Sequence, residues 1–412
     1  MTAPASAPAL DGMRVLDMTQ YEAGTSSTQM LAWLGADVVK VESPYGDPGR
    51  RAFTRGTDDS QYFLNYNSNK RSIVLDLKSE RGRQLLLDLV PNFDVFVENY
   101  GPGVIENLDI GYDVLSAINP RLIYARIKGF GLDGPYSGYK VFDPLAQAAA
   151  GAISVTGEPD GEPVKPGPTI ADSGTGMQTA LGVTAAWAQL QRTGKGQLIE
   201  LSMQEVMTMF MRTVTVPTWG QQPAERRGNR GGAPTGMYPC APGGKNDYIY
   251  IHVATTRLWD QLCASMGRDD LLVDPRFQSG RLRMQNADVL REEITKWTMQ
   301  HTKHEAMTIL GDGGCAVSAV NDTQDVFNDP HLKARGFFEQ VEHPAEGTIT
   351  LMKSPIRMSE SKVPLKPAPT LGGDTDQVLS DELGLSGHEI DQLHEEQVIF
   401  SRVRQADAVA GD

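Results

Sequence analysis

The stretch RVLDMTQYEAGTSSTQMLAWLGADVVKVE, Arg14 to Glu42, decides the fold. Arg14 to Met18 is a short apolar run with strand character. Gly24 to Leu34 places its apolar residues at helical spacing and stops at Gly35, where a glycine can end a helix. Asp37 to Glu42 alternates as a strand does. Strand, helix and strand in that order open a parallel, doubly wound α/β sheet. The stretch contains no G-x-G-x-x-G, so a dinucleotide cofactor is not indicated.

The alternation continues down the chain. Arg71 to Leu77, Asp94 to Glu98 and Leu122 to Lys128 read as strands. Glu80 to Val90 reads as a helix, and Gly103 to Ile118 as largely helical. This repetition predicts right-handed crossovers, with ligands at the carboxyl ends of the strands. Two of those ends lead into Thr19 to Gly24 and Asn99 to Gly103. A small-residue helix is expected from Asp143 to Ser154, a strand from Gln197 to Leu201, and a Met-rich core helix from Met203 to Thr213. Gln221 to Gly236, QQPAERRGNRGGAPTG, reads as a linker or mobile loop.

A smaller α+β region follows, with a strand at Tyr248 to Val253 and helices at Arg257 to Met266 and Asp288 to Gln300. From Thr323 the pattern shifts again, towards strands near Thr348 to Met352 and then two short acidic helices. The expected division is a large domain over 9–220, a linker and small domain over 221–322, and a return to the large domain over 323–400. Met1 to Pro8 and residues 401–412 read as loose tails.

A chain of 412 residues can hold two cores, and its net charge of −14 argues against nucleic acid as the main partner. The opening MTAPASAPALDG lacks the apolar centre of a secretory signal, and no run of about 18 apolar residues suggests a membrane span. Cys240, Cys263 and Cys315 are far apart, as expected of buried thiols in a reducing cytoplasm.

The chemistry-bearing stretch is VKPGPTIADSGTGMQTALGVTAAW, Val164 to Trp187. A long helix is expected from Thr175 or Gly176, with Asp172 just ahead of it. Asp172 then has two readings: a helix cap, or a nucleophile that keeps its charge at the helix start. The surrounding glycines would let a reacting group approach the backbone, as an oxyanion pocket requires. His301 and His304 stand at i and i+3 on an expected helix beside Glu305, without a third ligand at metal-site spacing. No G-x-S-x-G elbow or P-loop is present. Lys40, Arg50, Arg51, Arg55, Lys70, Arg71, Lys78 and Lys140 stand near strand ends. They suit either a phosphate-bearing ligand or ordinary solvated surface.

Beyond these patterns, the segments LDGMRVLDMTQYEAGTSSTQMLAWLGADVVKVE, NSNKRSIVLDLK, VENYGPGVIENL, INPRLIYARIKGFG and PGPTIADSGTGM resemble the family III CoA-transferases. RGNRGGAP, DPRF, DPHLKARGFF and LGGDTDQVLSDELG extend that resemblance to about residue 400. It implies a Rossmann-like large domain with a parallel sheet, a smaller α+β domain, and an interlocked homodimer. It also implies transfer of coenzyme A from an acyl-CoA thioester to a free carboxylic acid, with no permanently bound cofactor and no metal. Asp172 matches the family's nucleophile, which forms aspartyl anhydride and aspartyl-CoA thioester intermediates. Matching positions imply CoA contacts at Glu22, Ala23, Leu75, Asp76, Leu77, Lys78, Asn99, Tyr100, Gly101 and Lys140. Gly231 and Gly232 match the family's mobile glycine loop.

Glu22 stands where the formyl-CoA transferase branch has Gln, and Ser43 and Asn107 stand where it has Arg. Phosphate contacts must then come from elsewhere, such as Arg50, Arg51 or Lys78, and formyl-CoA:oxalate exchange itself is disfavoured. Three alternatives stay open: an α-methylacyl-CoA racemase, an intramolecular CoA-transferase and a non-catalytic CoA-binding protein. The racemases carry a His just before the position of Asp143, where this chain has Phe142.

Overall fold

A computed structural model describes residues 7–54, 59–215, 219–229 and 232–401. Arg55 and Gly231 lie outside the described residues, as do 1–6 and 402–412 of the two expected tails. The chain forms two compact units. One comprises residues 1–152, 165–217 and 336–412; the other comprises 153–164 and 218–335.

The larger unit is built on a seven-stranded sheet. Its strands are β1 (Arg14–Met18), β2 (Asp37–Glu42), β3 (Arg71–Leu75), β4 (Val95–Glu98), β5 (Ile123–Lys128) and β6 (Gln197–Ser202), with Ile399–Phe400 at one edge. Spatially the order is Ile399–Phe400, β3, β2, β1, β4, β5, β6. All neighbours run parallel except Ile399–Phe400, which pairs antiparallel with β3. The chain therefore moves outward from β1 to β3 and then crosses to β4 on the other side of β1. The crevice at that reversal, outside the carboxyl ends of β1 and β4, is where such sheets receive ligands.

Both faces of β2 are covered: Val38, Val39, Lys40, Val41 and Glu42 are all buried. Parallel sheets need that covering. One core joins Leu16, Val39, Ile73 and Phe96 to Leu85, Leu86 and Leu89 of helix Glu80–Leu89 and to Val378, Leu379, Ile390 and Leu393. Full burial of one such side chain is worth about 1.5–3 kcal/mol. The last four come from helices Thr375–Leu383 and Gly387–Glu395, so the late part of the chain completes a core begun at the start. Two side chains tie this return down. Asp374 Oδ2 accepts from the Ser72 N–H at 2.8 Å, 302 positions away, and Thr375 Oγ1 accepts from the Val74 N–H at 3.1 Å. The Asp76 N–H donates to the Val398 carbonyl at 2.8 Å, beside the Ile399–Leu75 pair.

Helix α1 (Ala23–Trp33) is buried along most of its length, and its small residues admit a second helix closely. That helix is α3 (Ile170–Thr193), which follows α2 (Asp143–Ala149). A Cβ on Gly176 of α3 would fall 2.0 Å from Ser26 Oγ and 3.0 Å from the Ala23 carbonyl oxygen.

The smaller unit has a three-stranded antiparallel sheet, Gly236–Pro239, Tyr248–His252 and Ala316–Ala319. Its core combines Tyr238, Ile249, Trp259, Leu262, Leu290 and Leu310 with the buried thiols Cys240 and Cys263. Arg226 ties residues 153–164 to this unit by donating to the carbonyls of Ser154 and Gly161 at 3.1 and 2.7 Å.

Some expected helices are shorter. Gly103 to Ile118 splits into Val104–Asn107 and Tyr112–Ile118, with Asp109 at φ +52° between them. α2 ends at Ala149 rather than Ser154, just before Gly151 at φ +88°. His301 and His304 do not share a helix: Thr302 caps Lys303–Asp312 through a capping box with Glu305, leaving His301 ahead of it. No group of His, Cys, Asp and Glu among the described residues is arranged to hold a metal ion. No described helix is long and apolar enough to cross a membrane.

Candidate active site

The turns after β1 and β4 lock to each other. Asn99 Oδ1 accepts from the Gln20 N–H at 2.7 Å, while Asn99 Nδ2 donates to the Gln20 carbonyl at 2.8 Å. Gln20 Nε2 donates to the Tyr100 hydroxyl at 2.8 Å. Tyr21 sits at φ +58°, a conformation unusual for a bulky residue, and its N–H is held by Asp47 Oδ1 at 3.1 Å. That turn places Glu22 at the N-cap of α1, 2% exposed.

Asp172 is not the cap of α3. The helix begins at Ile170, so Asp172 lies within its first turn. The capping carboxylate is Asp143 of α2, whose Oδ1 accepts from the N–H groups of Ala171 and Asp172 at 2.9 and 3.2 Å. Asp143 Oδ2 accepts from Gln147 Nε2 at 2.6 Å. Among the described residues, none donates a hydrogen bond to the Asp172 carboxylate. Burial first, then the charges of Glu22 and Asp143, push its carboxyl up to about 8. The expectation that Asp172 readily keeps its charge is therefore corrected: the N–H groups that would have stabilised it are taken by Asp143.

Glu22 Oε1 accepts from the hydroxyls of Thr169 and Ser173, both at 2.7 Å. Burial raises its carboxyl above the usual range, opposed by the hydroxyls of Ser173, Thr169 and Tyr66. Burial, followed by the nearby carboxylates, also keeps the phenols of Tyr62 and Tyr66 neutral at any ordinary pH.

The glycines beside Asp172 have a different purpose from the one expected. A Cβ on Gly174 would meet the Phe210 ring at 2.3 Å, and Gly176 faces α1. They admit neighbouring side chains and helices.

A cleft of about 280 Å³ opens at the sheet reversal. Glu22, Ala23, Asn99, Tyr100, Gly101, Lys140 and Asp172 all line it. Tyr21 and Phe142, in edge contact at 5.9 Å, belong to its aromatic wall. A second cavity of about 1120 Å³ shares Tyr100 and Val104 with the first. Leu75, Asp76, Leu77 and Lys78 line it, together with Ser43, Asn107 and Arg83. Gly232, at φ +114°, belongs to the smaller unit.

Most of the cations considered as phosphate contacts are committed elsewhere. Arg50 donates to Glu42 at 2.7 Å and Asp59 at 2.9 Å, and lies 3.7 Å over the Phe63 ring. Lys40 pairs with Asp47 at 2.9 Å, Lys70 with Asp17 at 2.9 Å and Arg71 with Asp37 at 2.6 Å. Lys78 remains beside the second cavity, joined by Arg83, which is paired with the exposed Asp109 at 3.1 Å. The sequence reading missed Arg83, Thr169, Ser173, Tyr62 and Tyr66. Only the three-dimensional return of α3 and of helix Gln61–Tyr66 onto the β1 turn reveals the last four.

The chain matches the family described as CoA-transferase family III over residues 10–375. It belongs to CoA-transferase family III. A relative from Streptomyces coelicolor named formyl-CoA:oxalate CoA-transferase is 38% identical over 411 residues, covering 96% of this chain and 100% of the relative. One of the same name from Rhodopseudomonas palustris is 35% identical over 426 residues, covering 97% and 99%. Among solved structures, a CAIB/BAIF family protein from Brucella suis superposes with a TM-score of 0.82 at 31% identity, covering 91% of this chain and 100% of that one. Rv3272 from M. tuberculosis gives 0.78 at 30% identity, covering 90% and 99%. These two solved structures share the mainly parallel α/β architecture described above.

Proposed function

We propose that this protein moves coenzyme A from an acyl-CoA to a small carboxylic acid through covalent intermediates on Asp172. The observation that carries the reading is Asp172 itself. It is a half-buried carboxylate that receives no hydrogen bond from the described residues, and it lines a cleft at the β1/β4 reversal. Burial and the charges of Glu22 and Asp143 hold its carboxyl up at about 8, so once ionised it is a stronger nucleophile than a carboxylate locked in a salt bridge.

The Asp172 carboxylate attacks the thioester carbonyl, forming a mixed anhydride and expelling CoA thiolate. The thiolate attacks the aspartyl carbonyl, giving an aspartyl-CoA thioester and releasing the first acid as its carboxylate. The acceptor carboxylate then attacks that thioester and again expels thiolate. Thiolate attack on the acceptor's carbonyl yields the new acyl-CoA and restores Asp172. The thioester's energy is retained at every stage. The acyl end of the substrate occupies the smaller cleft near Glu22, Ala23, Asn99, Tyr100, Gly101 and Lys140. The nucleotide occupies the larger cavity near Leu75, Asp76, Leu77 and Lys78, with Lys78 and Arg83 facing its phosphates. The enzyme works in the cytoplasm without metal or nicotinamide.

Asp143 gives the racemase reading no second base. Both its oxygens are engaged, and Phe142 precedes it. Two interlocked copies form the working enzyme. Supporting this, Met177 and Leu181 lie one turn apart on α3, 50% and 64% exposed, as an apolar stripe for a second copy to cover.

Asp172→Ala tests the reading. Transfer, followed by mass spectrometry across acyl-CoA donors and acids, should fall by several orders of magnitude while CoA still binds. Intact-protein mass should show a hydroxylamine-sensitive adduct on the native chain alone. Normal turnover by the alanine variant would end the proposal; lost CoA binding would point to a merely structural role.

A further inference from the structure

Glu22 is a poor choice if the fold needs only an acceptor for the Thr169 and Ser173 hydroxyls. A glutamine oxygen would accept both bonds without burying an ionisable acid. Each packed element brings Glu22 little relief. α3 offers the hydroxyls of Thr169 and Ser173 and the acid Asp172. α2 brings the acid Asp143, and helix Gln61–Tyr66 the neutral phenol of Tyr62 and one further hydroxyl donor, Tyr66. Two lysines line the same cleft. Lys128 is committed to Glu98 at 2.9 Å and to the Tyr100 carbonyl at 2.6 Å, and Lys140 is exposed. The hydroxyls that hold Glu22 flank Asp172 in sequence, so the two acids are fixed side by side through α3.

We propose that Glu22 is a positioning residue that keeps Asp172 in an unfavourable pair of like charges, a repulsion relieved when an acyl or CoA group is captured on Asp172. This rests on the reading of Asp172 as nucleophile. The balanced exchange is Asp172–COO⁻ + R–CO–S–CoA giving Asp172–CO–S–CoA + R–COO⁻. The C–S bond of the substrate is replaced by one to the aspartyl carbonyl, and the departing acid carries away the negative charge. Glu22 then keeps the hydroxyls of Thr169, Ser173 and Tyr66 and is freed of the charge of Asp172. Its charge thus raises the free enzyme relative to the covalent one, and delays ionisation of Asp172 as pH rises.

Glu22→Gln and Glu22→Asp separate charge from anchoring. Gln keeps an oxygen for both hydroxyls and removes the charge; Asp keeps the charge and shortens the tether. With Gln, the acid limb of kcat/KM should move to lower pH, so that at pH 6 the variant retains about tenfold more of its plateau value than native enzyme. Its aspartyl-CoA fraction at pH 9, read by intact-protein mass at a fixed ratio of acyl-CoA to free acid, should fall. With Asp, the native acid limb should persist. An unshifted limb in the Gln variant, or a limb moved to lower pH in the Asp variant, overturns the proposal. Should the Gln variant not fold, the Asp profile decides alone. If Asp172→Ala still forms the adduct, the nucleophile assignment fails instead, whatever Glu22 does.

Discussion

Two groups of buried charge lie at the carboxyl edge of the same sheet and are treated in opposite ways. One joins Asp17, Lys40, Glu42, Asp47, Arg50, Asp59 and Lys70, where acids meet cations within 2.7–2.9 Å. The other is Glu22, Asp143 and Asp172, where acids meet hydroxyls, amides and each other. Burial pushes the Glu42 carboxyl up, but Arg50 and Lys40 outweigh it and bring it down to about 2. At Asp172 nothing outweighs burial, and the carboxyl rises to about 8. The first group is neutralised by cations at close range, whereas the carboxylate of Asp172, the proposed nucleophile, meets no cation among the described residues.

The contrast breaks most severely at Arg50. Arg50→Met should cost about 3–5 kcal/mol, because Glu42 and Asp59 would remain buried without their cation. The sign in pH is definite. Glu42 is held below its ordinary value, so its stabilisation is present above about pH 4.5 and disappears as pH falls through about 2. Denaturant melts of the variant and the native chain should therefore converge as pH approaches 2. A constant gap across that window would remove the ion pair as the cause.

Asp172→Asn should act in the opposite sense and more modestly. A carboxyl raised from 3.8 to about 8 binds its proton more tightly when folded, so native stability declines as pH rises across that interval. The asparagine variant should gain a few degrees in Tm relative to native protein between pH 5 and pH 9, while losing its chemistry. A gap that narrows with pH would show the carboxylate to be well solvated. Arg71→Ala gives the smallest effect, within about 1 kcal/mol, since its partner Asp37 is 41% exposed. A larger loss would mean that solvent does not weaken this pair.

The alternating strands and helices were legible because each buries a face whose period is written locally. The β1–α1–β2 opening and the two strand ends that line the cleft needed nothing from afar. From local pattern Asp172 read as a cap or a nucleophile at a helix start, and the choice was hidden because the true cap, Asp143, lies 29 positions upstream. The fate of the lysines and arginines was hidden for the same reason. Lys70 finds Asp17 53 positions away, and no local pattern says which acid a cation will meet. Gly174 and Gly176 misled because a glycine that admits a ligand and one that admits a helix look alike until the neighbour is known.

The edge strand at Ile399–Phe400 imposes an order on biogenesis. As the polypeptide leaves the ribosome, β3 and the turn bearing Lys78 must wait for Asp374, made 302 residues after Ser72, and then for Ile399 before their open flank is sealed. Until then the edge of β3 beside the proposed nucleotide cavity has no strand to pair with, so that flank is sealed only when nearly the whole chain has been made.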